Sequence, residues 1–303
     1  MKSILVPIDY SNNSRNALTY ALEIARVTGA ELILFHAFYP IMTPPASLDT
    51  TDVILALEEG KARSLKDFAL ATRTEIGLAE GQLEAYQSIP LQAVARMGGS
   101  YEMILEAIQK YKADLVVMGM QGGGPWSQAL LGSTTISVMQ ESKVPILAVP
   151  ENIPYRYFQK VLFATNLSKL PATADLQPLR SFVAAFGAKL QVLHLYRNNL
   201  QYATFDPHEA LKQLAAKLQD IALDFSFDIQ EEVAEGICKY VLEQHADLLV
   251  LIPQRHNFME RLLDRSVTGK ITAHPQVPLL ALPASTLTYN QSITDQEKAA
   301  NPG

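Results

Sequence analysis

Residues 113 to 150 of this chain can be laid on residues 246 to 283 without a gap, at a constant offset of 133. Ala113-Asp114-Leu115 falls on Ala246-Asp247-Leu248, Gln121 on Gln254, Ser133 on Ser266, and Val144-Pro145-Ile146-Leu147-Ala148-Val149-Pro150 on Val277-Pro278-Leu279-Leu280-Ala281-Leu282-Pro283. The starts of the copies agree as well: Ile4-Leu5-Val6-Pro7-Ile8-Asp9-Tyr10-Ser11 parallels Val161-Leu162-Phe163-Ala164-Thr165-Asn166-Leu167-Ser168, and Glu31 to His36 parallels Lys189 to His194. A duplication of this length makes each copy one unit with its own apolar core, at about the size where such a core suffices. The chain therefore divides into residues 1–150 and 151–283, with the polar stretch 284–303 read as a frayed tail.

Within the first copy, Ser3 to Ile8 reads as a buried strand, and Ser11 or Ser14 caps a helix through Ala17 to Ala25 that Gly29 closes. Glu31 to Phe38 is a second strand, and Tyr39 to Thr51, with three prolines, a loop. Helical periodicity runs from Asp52 to Arg73, a third strand from Leu91 to Met97, and a further helix from about Ser100 to Tyr111. A strand ending at Met118, a helix after Ser133 and the strand Pro145 to Val149 complete the series. The second copy repeats it with a helix near Ala172 to Phe186 and strands at Leu190 to Leu195, Leu248 to Ile252 and Pro278 to Leu282. Apolar strands alternating with helices imply a parallel sheet covered on both faces.

Composition narrows the function classes. With 48% hydrophobic and 18% charged residues the chain is globular, and its net charge of -6 gives no basic footprint for nucleic acid. No apolar run approaches the ~20 residues needed to cross a bilayer, so no membrane partner is expected, and Met1-Lys2-Ser3 leads directly into a strand. One cysteine, Cys238, excludes an internal disulfide and reads as a packing residue of a reducing compartment; the cytoplasm is the expected location.

The chemistry concentrates after the fourth strand. Gly119-x-x-Gly122 is followed after nine residues by Gly132-Ser133, between the strand Asp114 to Met118 and a helix. Open α/β sheets bind phosphorylated ligands at such junctions. Gly119 and Gly122 permit positive φ and close approach of the main chain to a ligand, while Gly132 and Ser133 offer backbone N–H groups and a hydroxyl at a helix start. The bland alternative makes Gly122-Gly123-Gly124-Pro125 a surface turn and Gly132 a helix boundary. The duplication weighs against it: Gly119, Gly122 and Gly132 become Ile252, Arg255 and Arg265, and Asp9 becomes Asn166, while the strands persist. Glycines needed only for folding should have persisted too, so their loss argues that the first-half set serves a ligand.

Other signals carry less. Gly269-Lys270 is followed by Ile271 and is no phosphate-binding loop of the Walker type. The histidines are scattered; His36 and His194 occupy equivalent strand ends and read as structural. Glu58-Glu59 and Glu231-Glu232 are adjacent pairs that point to different faces, read as solvated charge. Nothing stands out as a general base for water attack on a γ-phosphate.

Together, Ile4 to Asp9, Leu34-Phe35-His36-Ala37, the Gly119-x-x-Gly122-x9-Gly132-Ser133 signature and Val144 to Val149 resemble the universal stress proteins of the UspA type, over about residues 1 to 283. The resemblance implies two tandem open parallel five-stranded sheets of order 3-2-1-4-5, Rossmann-like, with ATP at the break between strands one and four. By position it implies a nucleotide site of Pro7, Asp9, Ala37, Met118, Gly119, Gln121, Gly122, Gly132, Ser133, Thr134 and Thr135. Gln121 departs from the basic residue often found there, which removes a charge-assisted phosphate contact. Trp126 at the loop tip either covers the nucleotide, meets a partner or anchors the loop. In the second copy Arg255 and Arg265 either occlude the vacated phosphate space or, with Ser266, receive another anion; occlusion is favoured. The expectation is a stress-response module that binds ATP, with or without Mg²⁺, and thereby alters a surface for a protein partner of unknown identity. The alternatives are a slow ATPase with Mg²⁺ placed by Ser133 or Thr134, and a nucleotide-independent scaffold or sensor of another anion. The resemblance further implies that Val144 to Val149 and Val277 to Leu282 pair within the chain as an intramolecular pseudo-dimer, with a homodimer of chains left open.

Overall fold

The computed structural model describes residues 1–39, 50–120, 132–253, 277–283 and 286. The first half runs β1 (Ser3–Pro7), α1 (Asn12–Thr28), β2 (Glu31–Phe38), α2 (Thr50–Ala79), α3 (Leu83–Gln87), β3 (Leu91–Met97), α4 (Ser100–Lys110), β4 (Leu115–Gly119), α5 (Ser133–Glu141) and β5 (Ile146–Val149). The second runs β6 (Lys160–Ala164), a 3₁₀ turn (Leu167–Lys169), α6 (Gln177–Phe186), β7 (Lys189–Tyr196), α7 (Asn199–Thr204), α8 (His208–Lys217), β8 (Leu223–Ile229), α9 (Val233–Glu243), β9 (Leu248–Leu251) and β10 (Leu279–Ala281).

Each half has the strand order 3-2-1-4-5, and the halves join in one sheet of order β3-β2-β1-β4-β5-β10-β9-β6-β7-β8. All pairings are parallel except that between β5 and β10, where Leu147 lies opposite Leu280. The expected pairing of the closing strands therefore holds, and it turns two sheets into one. Alternate strand residues divide the core. Ile4, Val6, Leu32, Leu34, Leu115 and Val117 share one apolar layer with Leu18 and Leu22 of α1, and Leu5, Ile33, Phe35, Val116 and Met118 share the other with Ile104 of α4 and Val138 of α5. Both layers continue into the second half. The connecting segment is stapled to α1, where Asn16 Nδ2 donates to the carbonyls of Pro150 (2.7 Å) and Ile153 (2.9 Å). Tyr20, Tyr155 and Phe158 then carry an aromatic seam to Phe182 and Phe186 of α6.

Local chemistry explains the element ends. Ser11 caps α1 by accepting from Ser14 N (3.2 Å), and Gly29 ends it at φ 71°, the left-handed conformation that suits glycine. In both halves an aspartate after the preceding helix pins the first strand: Asp114 accepts from the amides of Lys2 and Ser3, and Asp247 from those of Gln159 and Lys160. That accounts for the repeated Ala-Asp-Leu.

Several boundaries differ from the sequence reading. α2 continues past Arg73 to Ala79 and is followed by α3, and the second half contains β8, α7 and α8, which the periodicity did not single out, while Cys238 lies in α9. The first helix of the second half begins at Gln177 rather than near Ala172, with Pro178 in its first turn. The tail 284–303 lies outside the described residues apart from Thr286, which is buried.

Candidate functional site

The break in strand order falls between β1, which pairs with β2 on one side and β4 on the other, and the chain leaves β1 towards one face of the sheet and β4 towards the other. A crevice at such a switch point is where open α/β sheets hold ligands. Pro7 ends β1, and Asp9 follows it, exposed, its Oδ1 accepting from Ser11 N (3.0 Å) and Ser11 Oγ (2.5 Å). Tyr10 takes φ 64°, uncommon for a residue with a side chain, and the turn is tied to β2 by Ile8 N donating to Phe35 O (2.8 Å) and by His36 Nδ1 against Ile8 O (2.8 Å). Ala37 lies in β2 opposite Arg96 of β3.

On the other side of the break, Met118 is buried in β4 and Gly119 ends that strand. Gly132 caps α5 at φ -67°, its N–H donating to Met120 O; Ser133 is exposed, Thr134 half-buried, and the buried Thr135 donates its hydroxyl to Gly119 O (3.0 Å). The structure thus brings Met118, Gly119, Gly132, Ser133, Thr134 and Thr135 together at one end of β4. Gln121, Gly122 and Trp126 lie outside the described residues, as do Arg255, Arg265 and Ser266.

Two helix N-termini flank the switch point, α1 after β1 and α5 after β4, and neither has an acidic residue in its first turn. The first N–H groups of each helix lack helical acceptors, and the dipole makes this end electropositive. Asn13, in the first turn of α1, is 4% exposed, and its Oδ1 has no hydrogen-bond partner among the described residues. No local signal marks Asn13, because its burial arises only where α1 meets β4. The donor set suits a polyanion with hydroxyl groups. Among the described residues no three His, Cys, Asp or Glu side chains come together as a metal site.

Gly119 needs correction. It is at neither positive φ nor an open loop; a Cβ on it would lie 2.8 Å from Asn13 Cβ and 3.0 Å from Asn13 C. Close approach of α1 requires the glycine whether or not a ligand binds. In the second half α6 has 10 residues against the 17 of α1, both ending at a left-handed glycine, so the shortening is at the N-terminus. Among the described residues a 3₁₀ turn, Leu167–Lys169, follows β6 where α1 follows β1, and Ile252 joins the core. The glycine-to-isoleucine exchange thus has a packing cause, and it does not by itself point to a ligand. Asn166 keeps the turn chemistry of Asp9, accepting from Ser168 N (3.1 Å) and Ser168 Oγ (2.7 Å).

Glu58 is likewise not solvated charge: it pairs with Arg96 (2.9 Å) and accepts from Met97 N (3.1 Å), tying α2 to β3. Glu231 and Glu232 are exposed as read. Of the two equivalent histidines, His194 is 1% exposed, with Nδ1 against Thr165 O (3.2 Å) and receiving Leu167 N–H (3.3 Å); burial lowers its pKa. Burial pushes the Cys238 thiol up to about 12, consistent with packing.

These features define a doubly wound parallel α/β unit present twice in one chain, with the glycine-bearing switch point in the first copy. The chain belongs to the universal stress protein family, whose sequence profile matches residues 1–150 and again residues 158–283. A universal stress protein of Thermus aquaticus is 33% identical over 149 residues, 49% of this chain and 98% of that protein. A universal stress protein A homolog of Pasteurella multocida is 29% identical over 150 residues, 49% of this chain and 96% of that protein. Half of this chain thus corresponds to a whole relative. A solved universal stress protein from Archaeoglobus fulgidus superposes with a TM-score of 0.63 at 18% identity, covering 93% of this chain and 98% of that one, a likeness of fold. No helix among the described residues is long and apolar enough to cross a membrane.

Proposed function

We propose that the first half binds ATP, with Mg²⁺, at the break between β1 and β4, and that the protein works as a nucleotide-dependent interaction module in the stress response. The observation that carries this reading is the convergence of two helix N-termini, both free of acidic first-turn residues, beside the unpartnered Oδ1 of Asn13. A triphosphate is stabilised by N–H groups and dipoles so arranged. Gly132, Ser133 and Thr134 would hold phosphates, with Gln121 and Gly122 contributed by the loop; Asp9, Pro7 and Ala37 would face ribose and adenine, with Met118 and Gly119 as the floor. Thr135 supports the site through Gly119 O rather than by a free hydroxyl. Mg²⁺ would neutralise phosphate charge, with hydroxyl oxygens of Ser133 and Thr134 available to it. Among the described residues the second half has only a 3₁₀ turn after β6, with α6 starting later at Gln177, so one nucleotide per chain is expected.

Heating the purified chain and identifying released nucleotide by mass spectrometry, together with calorimetric titration of Mg-ATP, tests this. One ATP per chain is expected, and Gly132→Arg should abolish binding with the melting temperature nearly unchanged. Absence of both released nucleotide and calorimetric binding would overturn the reading, and retained affinity in Gly132→Arg would overturn the site.

A further inference from the structure

The two halves differ in what fills the space beyond the tip of the second strand of each. Register fixes the equivalent positions: Ile8 N donates to Phe35 O (2.8 Å) and Thr165 N to Leu193 O (3.0 Å), so Ala37 of β2 corresponds to Leu195 of β7. Gly98 N donates to Phe38 O (2.9 Å) and Gln230 N to Tyr196 O (2.7 Å), which matches Gly98 with Gln230 after the third strands. The helices that follow, α4 and α9, both have 11 residues and keep the offset of 133, so Met103 corresponds to Gly236.

In the second half a Cβ on the buried Gly236 would lie 2.9 Å from Leu195 Cδ1 and 2.8 Å from Gln230 Cγ. Two strand-side residues thus fill the gap up to the helix, and Leu195 is 8% exposed. In the first half both are cut back, to Ala37 and Gly98, and the bulk comes from the helix instead. A Cβ on Gly98 would meet Met103 Cγ at 2.8 Å and Sδ at 2.9 Å. Ala37 and Met103 are half-buried against the apolar layer that holds Met118, so Ala37 keeps the solvent access that Leu195 has lost. That layer also carries Val138 of α5, the helix whose start would hold the phosphates. The main-chain groups of Ala37 point, like those of Phe35, towards β1, and the β1 register ends at Pro7 opposite Phe35.

We propose that Met103 is the wall against which the base of the bound nucleotide packs, a flat, uncharged heteroaromatic ring seated beside Ala37 with its edge towards the main chain of that residue. The inference rests on the nucleotide reading above and adds the side chain that selects for a base. An unbranched, polarizable thioether adapts to an aromatic ring and gains from sulfur–ring contact. In the second half Leu195 stands where the ring would lie, so that copy has no room for a base.

Calorimetry on the full-length protein with Mg-ATP and with Mg-tripolyphosphate, which has no base, separates the two ends of the ligand. The wild type should bind Mg-ATP tighter by at least about tenfold. Met103→Ala should weaken Mg-ATP by about tenfold and leave tripolyphosphate within about twofold, and Met103→Leu, which restores apolar bulk, should recover most of the loss. Ala37→Leu should bring Mg-ATP down to the level of tripolyphosphate. Should that variant unfold, the two Met103 variants carry the comparison. Undiminished Mg-ATP affinity in Met103→Ala, or an equal loss for both ligands, would overturn the role of Met103 while ATP binding stands. So would a wild type that binds tripolyphosphate as tightly as ATP. A wild type that binds neither ligand would overturn the nucleotide reading itself, and this inference with it.

Discussion

Asn13 occupies the space that any side chain on Gly119 would need, its Cβ 2.8 Å and its carbonyl carbon 3.0 Å from the place of the missing Cβ. The backbone atom cannot swing aside, so a side chain at 119 must lift the first turn of α1 from the sheet. Gly119→Ala is expected to destabilise the first half by about 1–3 kcal/mol, the range for overpacking. The converse change in the second half, Ile252→Ala, leaves a cavity and should cost about 2–5 kcal/mol. Urea denaturation reads both as lower midpoints with little change of slope.

Tyr20, Tyr86 and Tyr155 surround α1 and its linker, and burial raises the pKa of each above its ordinary 10.0; for Tyr86 and Tyr155 the Glu23 carboxylate adds to the rise. Unfolded tyrosines release their protons near pH 10 while the folded ones keep them, so the native state binds more protons there and stability falls as pH rises. This stability is complete below about pH 10 and is lost above it. Tyr155→Phe is the clean variant, because its hydroxyl has no partner among the described residues. Melting temperatures should match the parent at neutral pH and fall less steeply in alkali.

His194 titrates in the opposite sense. Burial holds its pKa below the ordinary 6.5, and the Thr165 carbonyl offsets only part of that. Below pH 6.5 the unfolded chain binds a proton that the folded one refuses, so stability is complete above that pH and declines as pH falls, by at most ~1.4 kcal/mol per unit. His194→Phe should flatten the acid limb of a stability profile taken between pH 7 and pH 5. An unchanged limb would show that another group controls it.

The closing strands make an association prediction. Leu147 and Leu280 are buried opposite one another in the antiparallel β5–β10 pair, so neither half presents that edge to a second molecule. Light scattering should give a mass near 33.4 kDa at micromolar concentration. Leu280→Asp places a charge in the seam and should broaden or split the thermal transition as the halves lose their common sheet.

Where signals are local, the residues announced the structure. The cap of Ser11 on Ser14 and the left-handed stop at Gly29 follow from side-chain and backbone preferences within one turn. β8 escaped notice because its residues Leu223-Asp224-Phe225-Ser226-Phe227-Asp228-Ile229 belong to an edge strand, half wet, without the apolar run of the central strands. Glu58 resembled surface charge because its partners Arg96 and Met97 come from the next strand, beyond any helical spacing. The roles of Gly119 and Asn13 were hidden for the same reason: one ends β4, the other begins α1, and only packing makes them neighbours.

The sequence by itself determined the duplication, the alternation of strand and helix and the place of the glycine-bearing end of the fourth strand, since periodicity, caps and repeats are written along the chain. Only the tertiary structure decided that two sheets are one, that Gly119 answers to a helix, and that one long helix lies at the outer edge of the first half where two short ones lie in the second. Those outcomes depend on which surfaces meet across many residues of separation, and close packing, unlike a turn or a cap, has no signature in any short stretch of sequence.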